Sequence, residues 1–184
     1  MKFIKTDIPD VYILEPTIFG DNRGYFLESF NKYKFEEVIG KVSFIQDNES
    51  KSSKGVLRGL HFQKPPYAQA KLLRCIKGKV MDIAVDIRKG SPTYGKHIAV
   101  ELSGENKRQL FIPKGMAHGF SVLKENTVFA YKVDNIYIPE YDSGIRYDDK
   151  DLDLDWCLNE NEIILSAKDQ NLPCLKDFDS PFNF

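Results

Sequence analysis

The sequence predicts a mainly β fold, a sandwich or barrel with a few short helices. Three features point there. Short runs rich in Val, Ile, Leu, Phe and Tyr recur along the chain, turn residues separate them, and helical periodicity surfaces clearly in one place early on. A βαβ array would need a helix between successive strands, and none is written here. A first strand falls within residues 1–16, where Val11, Ile13 and Leu14 are apolar. FGDNRGYFLESF then turns at Asp21 to Gly24 and runs into aromatic residues around Glu28. NKYKFEEVI predicts a helix over Asn31 to Ile39, with Asn31 as its N-cap and Gly40 as its stop. Strands are expected at Val42–Gln46, Val56–Phe62, Lys71–Lys77, Val80–Arg88, His97–Leu102, Gln109–Ile112, Gly119–Leu123 and Thr127–Val133. The turns between them include KPP at Lys64, KGK at Lys77, KGSPTYG at Lys89, SGEN at Ser103 and KEN at Lys124. After Pro139 the pattern thins into the acidic stretch DDKDLDLDW and a short apolar tail at Ile163 to Leu165. With 184 residues, no internal repeat and no low-complexity linker, the chain is expected to form one domain with a core of its own.

Composition narrows the function classes. Hydrophobic content of 42% and charged content of 29% are those of an ordinary soluble protein. A net charge of -1 leaves no general electrostatic footprint for nucleic acid. The start, MKFIKTDIPDVYI, has no long apolar run, so neither a signal peptide nor a membrane span is expected. Cys75, Cys157 and Cys174 are odd in number and widely spaced, offering no zinc-ligand pair and no disulfide framework. That usage suits a reducing cytoplasm.

The richest stretch is QDNESKSSKGVLRGLHFQKPPYAQAK, Gln46 to Lys71, which crowds amides, an arginine, a histidine and a lysine around one β-type segment. Buried polar groups need partners, so this strand either floors a polar pocket or forms an edge whose polar groups sit in water. Arg58 and His61 are three apart and fall on opposite faces under strict alternation, unless a bulge at Gly59 re-aims one of them. In VMDIAVDIR, Ile83, Val85 and Ile87 share one face while Asp82, Asp86 and Arg88 share the other. That second face belongs either to solvent or to a cavity wall.

The histidines are His61, His97 and His118. PKGMAHGF, Pro113 to Phe120, resembles the second motif of the cupin superfamily, whose histidine often ligates a metal. The partner motif of metal-binding cupins supplies an H-x-H pair and a glutamate, whereas His61 is followed by Phe62 and Gln63. The set falls short of the three protein ligands usual for a catalytic metal, so no metal and no cofactor are expected. A wider likeness accounts for more of the chain. DNRGYFLESF, FIQDNESKSSKGVLRGLHFQ, AQAKLL, GKVMDIAVDIRKGSPTYG, FIPKGMAHGF, YK at Tyr131 and LSAKD occur in an order and spacing similar to the dTDP-4-dehydrorhamnose 3,5-epimerase family, a metal-free branch of the cupins. The resemblance runs from about Glu15 to Lys168. It implies a cupin-type jelly roll and a nucleotide-linked 4-keto-6-deoxy sugar as substrate.

Such a ketone acidifies the C–H bonds on its two neighbouring ring carbons. Inverting them requires a base, an acid on the opposite side and a cation or donor for the enolate oxygen. By resemblance His61 is the base, Asp169 the carboxylate that orients it, Tyr131 the proton donor and Lys71 the cation at the ketone; Asp82 is a further polar neighbour of the pocket. A neutral imidazole suits the base, and a phenol with an ordinary pKa of about 10 suits the acid. The resemblance also implies substrate contacts at Arg23, Glu28, Gln46, Asp47, Asn48, Arg58, His118 and Lys168, with Tyr137 stacking on the thymine ring. Arg23 and Glu28 are typically lent by a neighbouring subunit, which implies a homodimer. Two positions depart from the family: Asp142 stands where many members carry glutamate, and Tyr147 where many carry tryptophan. Three other readings share much of this pattern: a single-site epimerase or ketoisomerase, a non-enzymatic nucleotide-sugar binding module, and a metal-dependent cupin enzyme.

Overall fold

The structure, a computed structural model, describes residues 1–184. Thirteen strands and one α-helix follow in chain order: β1 (Lys2–Lys5), β2 (Tyr12–Glu15), β3 (Ile18–Asp21), β4 (Gly24–Leu27), α1 (Lys32–Val38), β5 (Gln46–Ser52), β6 (Leu57–Gln63), β7 (Lys71–Lys77), β8 (Lys79–Asp86), β9 (His97–Ser103), β10 (Gln109–Ile112), β11 (Met116–Val122), β12 (Thr127–Val133) and β13 (Asp142–Gly144). Two antiparallel sheets stack face to face, as a jelly roll requires. One has the order β1-β2-β10-β7-β12-β5, the other β13-β6-β11-β8-β9, and β3 and β4 form a hairpin apart from both.

Alternation along the strands decides which side chains meet between the sheets. Leu73 and Cys75 of β7, Leu110 and Ile112 of β10 and Phe129 of β12 face Val80 and Ala84 of β8, Val100 and Leu102 of β9 and Phe120 and Val122 of β11. Both outer faces are also covered in part. Chain beyond β13 brings Ile145, Leu152, Trp156 and Phe182 onto Leu57, Leu60, Ile83, Val85 and Ile87. On the other sheet, α1 presses Phe35 against Phe111, Leu72 and Leu14, with ring centroids of Phe35 and Phe111 5.2 Å apart. The helix begins where Asn31 accepts hydrogen bonds from the Tyr33 and Lys34 amides, as its cap residue predicts.

This coverage resolves the ambiguous face of β8. Ile83, Val85 and Ile87 pack outward under the C-terminal segment, and the acidic face turns into the sandwich, where Asp82 and Asp86 are fully buried. Arg88 and the Ser91 and Thr93 hydroxyls satisfy Asp86. The Gly59 bulge is also present. Phe120 pairs with Arg58 and His118 with His61, so one residue of β11, Gly119, opposes two of β6, Gly59 and Leu60. A Cβ on Gly59 would lie 2.4 Å from the Gly119 Cα, and its φ is +137°, so the kink demands glycine.

Some expected boundaries move. Of the strand expected over Val42–Gln46 only Gln46 is in a strand, as the first residue of β5. Val42 and Phe44 pack against the Phe35 cluster without ladder pairing, and the strand is the polar QDNESKS that follows. An edge strand needs only its backbone to pair with one neighbour, which β5 does along all of β12. The strand expected at Gly119 starts at Met116, the one expected to reach Arg88 stops at Asp86, and β1, β3, β4 and β13 were not foreseen as strands.

Candidate active site

A cleft of about 600 Å³ opens between the two sheets at the end bounded by β5, β6 and residues 164–169. The five-stranded sheet contributes Arg58 and His61 from β6 and His118 from β11; the six-stranded sheet contributes Asn48 from β5, Lys71 from β7 and Tyr131 from β12. A smaller hollow of about 120 Å³ shares His61, Lys71 and Tyr131 with this cleft and adds Gln63, Gln69, Tyr137 and Asp142. The bulge at Gly59 lets Arg58 and His61 line one cavity, which strict alternation would forbid.

His61 and Asp169 are joined by a hydrogen bond between the imidazole Nε2 and a carboxylate oxygen. Asp169, 2% exposed, also accepts from the Ser166 hydroxyl at 2.8 Å. Burial alone would raise the Asp169 carboxyl, but the bonds from His61 and Ser166 outweigh it and hold the pKa below the usual value. The carboxylate therefore stays charged and aims the ring, leaving the other ring nitrogen for the cleft. Ser166 carries no role in the sequence-based expectations; its spacing, three residues before Asp169 in LSAKD, is the signal of a local side-chain–backbone turn, and its hydroxyl accepts the Asp169 amide at 3.2 Å.

A second imidazole–carboxylate pair lies deeper. His118 Nε2 is 3.0 and 3.1 Å from the two oxygens of Asp82. Burial pushes the His118 pKa down against the pull of Asp82, and the charges of Lys71 and His61 lower it further. The ring is thus neutral with its proton on Nε2. Its Nδ1 is an acceptor without a protein partner, and no buried side-chain nitrogen or oxygen lacks a partner, so Nδ1 is open to the cleft.

Lys71 is desolvated among these groups, and burial pushes its pKa down to about 8 despite the attraction of Asp142 and Asp82. Its ammonium lies 5.9 Å from the Tyr131 ring centroid. Burial also raises the Tyr131 phenol, with Arg58 opposing, so the hydroxyl keeps its proton at neutral pH. Tyr137 is half exposed at the mouth and donates to Asp142 at 2.8 Å, which raises its own pKa. Asp142 is also ion-paired with Lys168. The shorter carboxylate thus reaches both Tyr137 and Lys168.

Other expected contacts are placed elsewhere. Gln46 donates to Asn48 at 2.8 Å on the inner side of β5, whereas Asp47 alternates to the outer side and pairs with Lys132. Glu28 is engaged by Lys34 at 2.7 Å and Asn31 at 3.0 Å. Arg23 sits at the turn of the exposed β3–β4 hairpin, paired with Asp21 at 2.5 Å. None of Asp47, Glu28 and Arg23 lines the cleft of its own chain. Tyr147 packs at the edge of the outer cluster, where its carbonyl accepts the Trp156 indole N–H, and it does not line the cleft. No three His, Cys, Asp or Glu side chains gather where they could hold one metal ion.

Comparison with known proteins places this geometry in a family. The sequence model described as dTDP-4-dehydrorhamnose 3,5-epimerase matches residues 5–177. A Shigella flexneri protein of that name is 57% identical over 172 residues, covering 93% of this chain and 94% of the relative. The crystal structure of dTDP-4-dehydrorhamnose 3,5-epimerase from Elizabethkingia anophelis superposes with a TM-score of 0.93 at 54% identity, covering 96% of this chain and 97% of that one. The Legionella pneumophila dTDP-6-deoxy-D-glucose-3,5-epimerase, solved in complex with dTDP-4-keto-L-rhamnose, gives 0.95 at 48% identity over 100% and 98% of the two chains. With the match running through nearly every strand that builds the cleft, the chain belongs to the dTDP-4-dehydrorhamnose 3,5-epimerase family.

Proposed function

We propose that the cleft performs its family's reaction, converting dTDP-4-dehydro-6-deoxy-D-glucose into dTDP-4-dehydro-L-rhamnose as an isomerase of dTDP-L-rhamnose synthesis. One observation carries the mechanism: the two sheets supply opposite walls, with the His61–Asp169 pair on one and the Tyr131 phenol and Lys71 ammonium on the other. His61 removes the proton from a ring carbon beside the ketone. The resulting enolate oxygen is met by the Lys71 ammonium, a charge whose effect is magnified by its desolvated setting. Tyr131 then delivers its proton to the opposite face of the carbon, and the stereocentre is inverted. Once the His61 imidazolium has given its proton to solvent and the Tyr131 phenolate has taken one back, the same cycle at the other neighbour of the ketone completes the double epimerisation. Arg58 at the cleft wall and Lys168 at the rim suit the diphosphate, Tyr137 the thymine ring, and neutral His118, an acceptor through Nδ1, suits a sugar hydroxyl.

The same reading includes a homodimer. The β3–β4 hairpin exposes Phe19, Tyr25 and Phe26, the last at 69%, and carries Arg23 away from its own cleft. Apolar groups in such a projection favour a protein partner, and a second copy would lend Arg23 and Glu28 to the neighbouring cleft. The three cysteines are free, and no helix is long and apolar enough to cross a membrane. Free thiols suit a cytoplasmic setting.

Mass spectrometry of dTDP-4-keto-6-deoxyglucose incubated with the protein in heavy water tests the reaction. Uptake of two solvent deuterons at the carbons flanking the ketone is expected. Uptake of one would leave a single-site epimerase or ketoisomerase, and none would sink the enzymatic reading. A pH profile tests Lys71. With its pKa near 8 the ammonium is charged below that pH and lost above it, so activity should fall as pH climbs through about 8. Lys71→Arg, which stays charged, should abolish that alkaline limb even if kcat is lower. An unchanged limb in Lys71→Arg would assign it to another group.

A further inference from the structure

Gln63 ends β6 two residues after His61, and its side chain is only 4% exposed. Its carboxamide is fully committed. Nε2 donates to the carbonyls of Tyr67 and Ile136, both at 2.8 Å, and Oε1 accepts the Ile138 amide at 2.6 Å. Two carbonyls on one side and an N–H on the other fix which end of the amide is which. Ile136 and Ile138 flank Tyr137, so one buried side chain holds the backbone on both sides of the ring proposed to stack on the base. The other end of that ring is tied to the same place, because its hydroxyl donates to Asp142, whose Cα is the β13 partner of Gln63 in β6.

We propose that Gln63 is a positioning residue for nucleotide recognition, presetting Tyr137 at the mouth of the cleft before substrate arrives. The inference rests on the assignment of Tyr137 to the base. An aromatic platform on an exposed loop loses conformational freedom when a ligand stacks on it, and prior fixing of its backbone removes part of that cost. Gln69 strengthens the arrangement from the neighbouring loop by donating to the Asn135 carbonyl at 2.8 Å. Only Gln63 reaches both sides of Tyr137. A glutamate there would keep the shape but set a carboxylate against two carbonyl oxygens.

The test is calorimetric titration with dTDP, on wild type, Gln63→Ala, Gln63→Met, Tyr137→Ala and the Gln63→Met/Tyr137→Ala double variant. Methionine keeps the volume of the buried side chain, so it remains informative if alanine fails to fold. Each single Gln63 variant should weaken dTDP binding by about 10-fold, the scale of the ordering cost returned to binding when the loop and its ring are no longer fixed beforehand. With substrate, KM should rise by a similar factor while kcat changes little. In the Tyr137→Ala background the Gln63→Met change should have no further effect on affinity, because the ring it positions is gone. Additive losses in the double variant, or dTDP affinity unchanged in a folded Gln63 variant, would overturn the proposal. Unchanged affinity in Tyr137→Ala alone would instead remove the stacking assignment, and this inference with it.

Discussion

His61→Ala is expected to abolish turnover while leaving dTDP affinity close to that of the wild type. The nucleotide contacts proposed here, Arg58, Lys168 and Tyr137, have other partners and do not hydrogen-bond to His61. Loss of a general base lowers kcat by roughly 10²–10⁴-fold, and more where no other group can take the proton. The other imidazole of the cleft is a poor substitute, since His118 is fixed on Asp82 and burial lowers its basicity. Asp169→Asn should fall in the same direction. The amide keeps the volume but removes the charge that balances the imidazolium formed after proton abstraction. Deuterium uptake from solvent is the direct readout, and normal uptake by His61→Ala would mean that the base is a different group.

The fold was largely legible because its signals are local. Alternating strands, turn chemistry and the Asn31 cap are written into short windows, and the sheets confirm most of them. The failures share a cause. The run from Val42 to Ile45 has strand-like composition but packs Val42 and Phe44 on the Phe35 cluster and leaves Ile45 exposed, while the polar Gln46–Ser52 pairs through its backbone as an edge. Composition reports side-chain burial and says little about backbone pairing at an edge. The strands β1, β3, β4 and β13 are only three or four residues long, too short for alternation to register.

The cleft was legible in another way. Alternation could not say whether Asp82 faced water or a cavity, because that depends on which face the distant residues 145–182 cover. His61 and Asp169 are 108 positions apart, and no periodicity links them. Their pairing was expected only through the likeness of whole motifs. Gln63 shows the converse limit: it lay inside one of those motifs, yet its partners Tyr67, Ile136 and Ile138 become visible only when two loops are folded together.

Tyr131→Phe separates the two halves of the reaction. The change removes one hydroxyl and leaves the ring between Phe129 and Lys71, so the cleft should keep its shape. Burial raises the phenol pKa, so in the wild type the group is a donor throughout the neutral range and is not needed to take the first proton. Abstraction by His61 should therefore continue in the variant, and the enolate should mostly recover its proton from the face it left. Formation of inverted product should drop by roughly 10²–10⁴-fold, the usual contribution of a positioned acid. Exchange of the same carbon-bound hydrogen with heavy water should fall much less. Measuring both on one sample, by mass spectrometry for exchange and by NMR for configuration, gives their ratio directly. Equal loss of exchange and inversion would count against Tyr131 as the donor, because a group that acts only after abstraction cannot slow abstraction as much as it slows inversion.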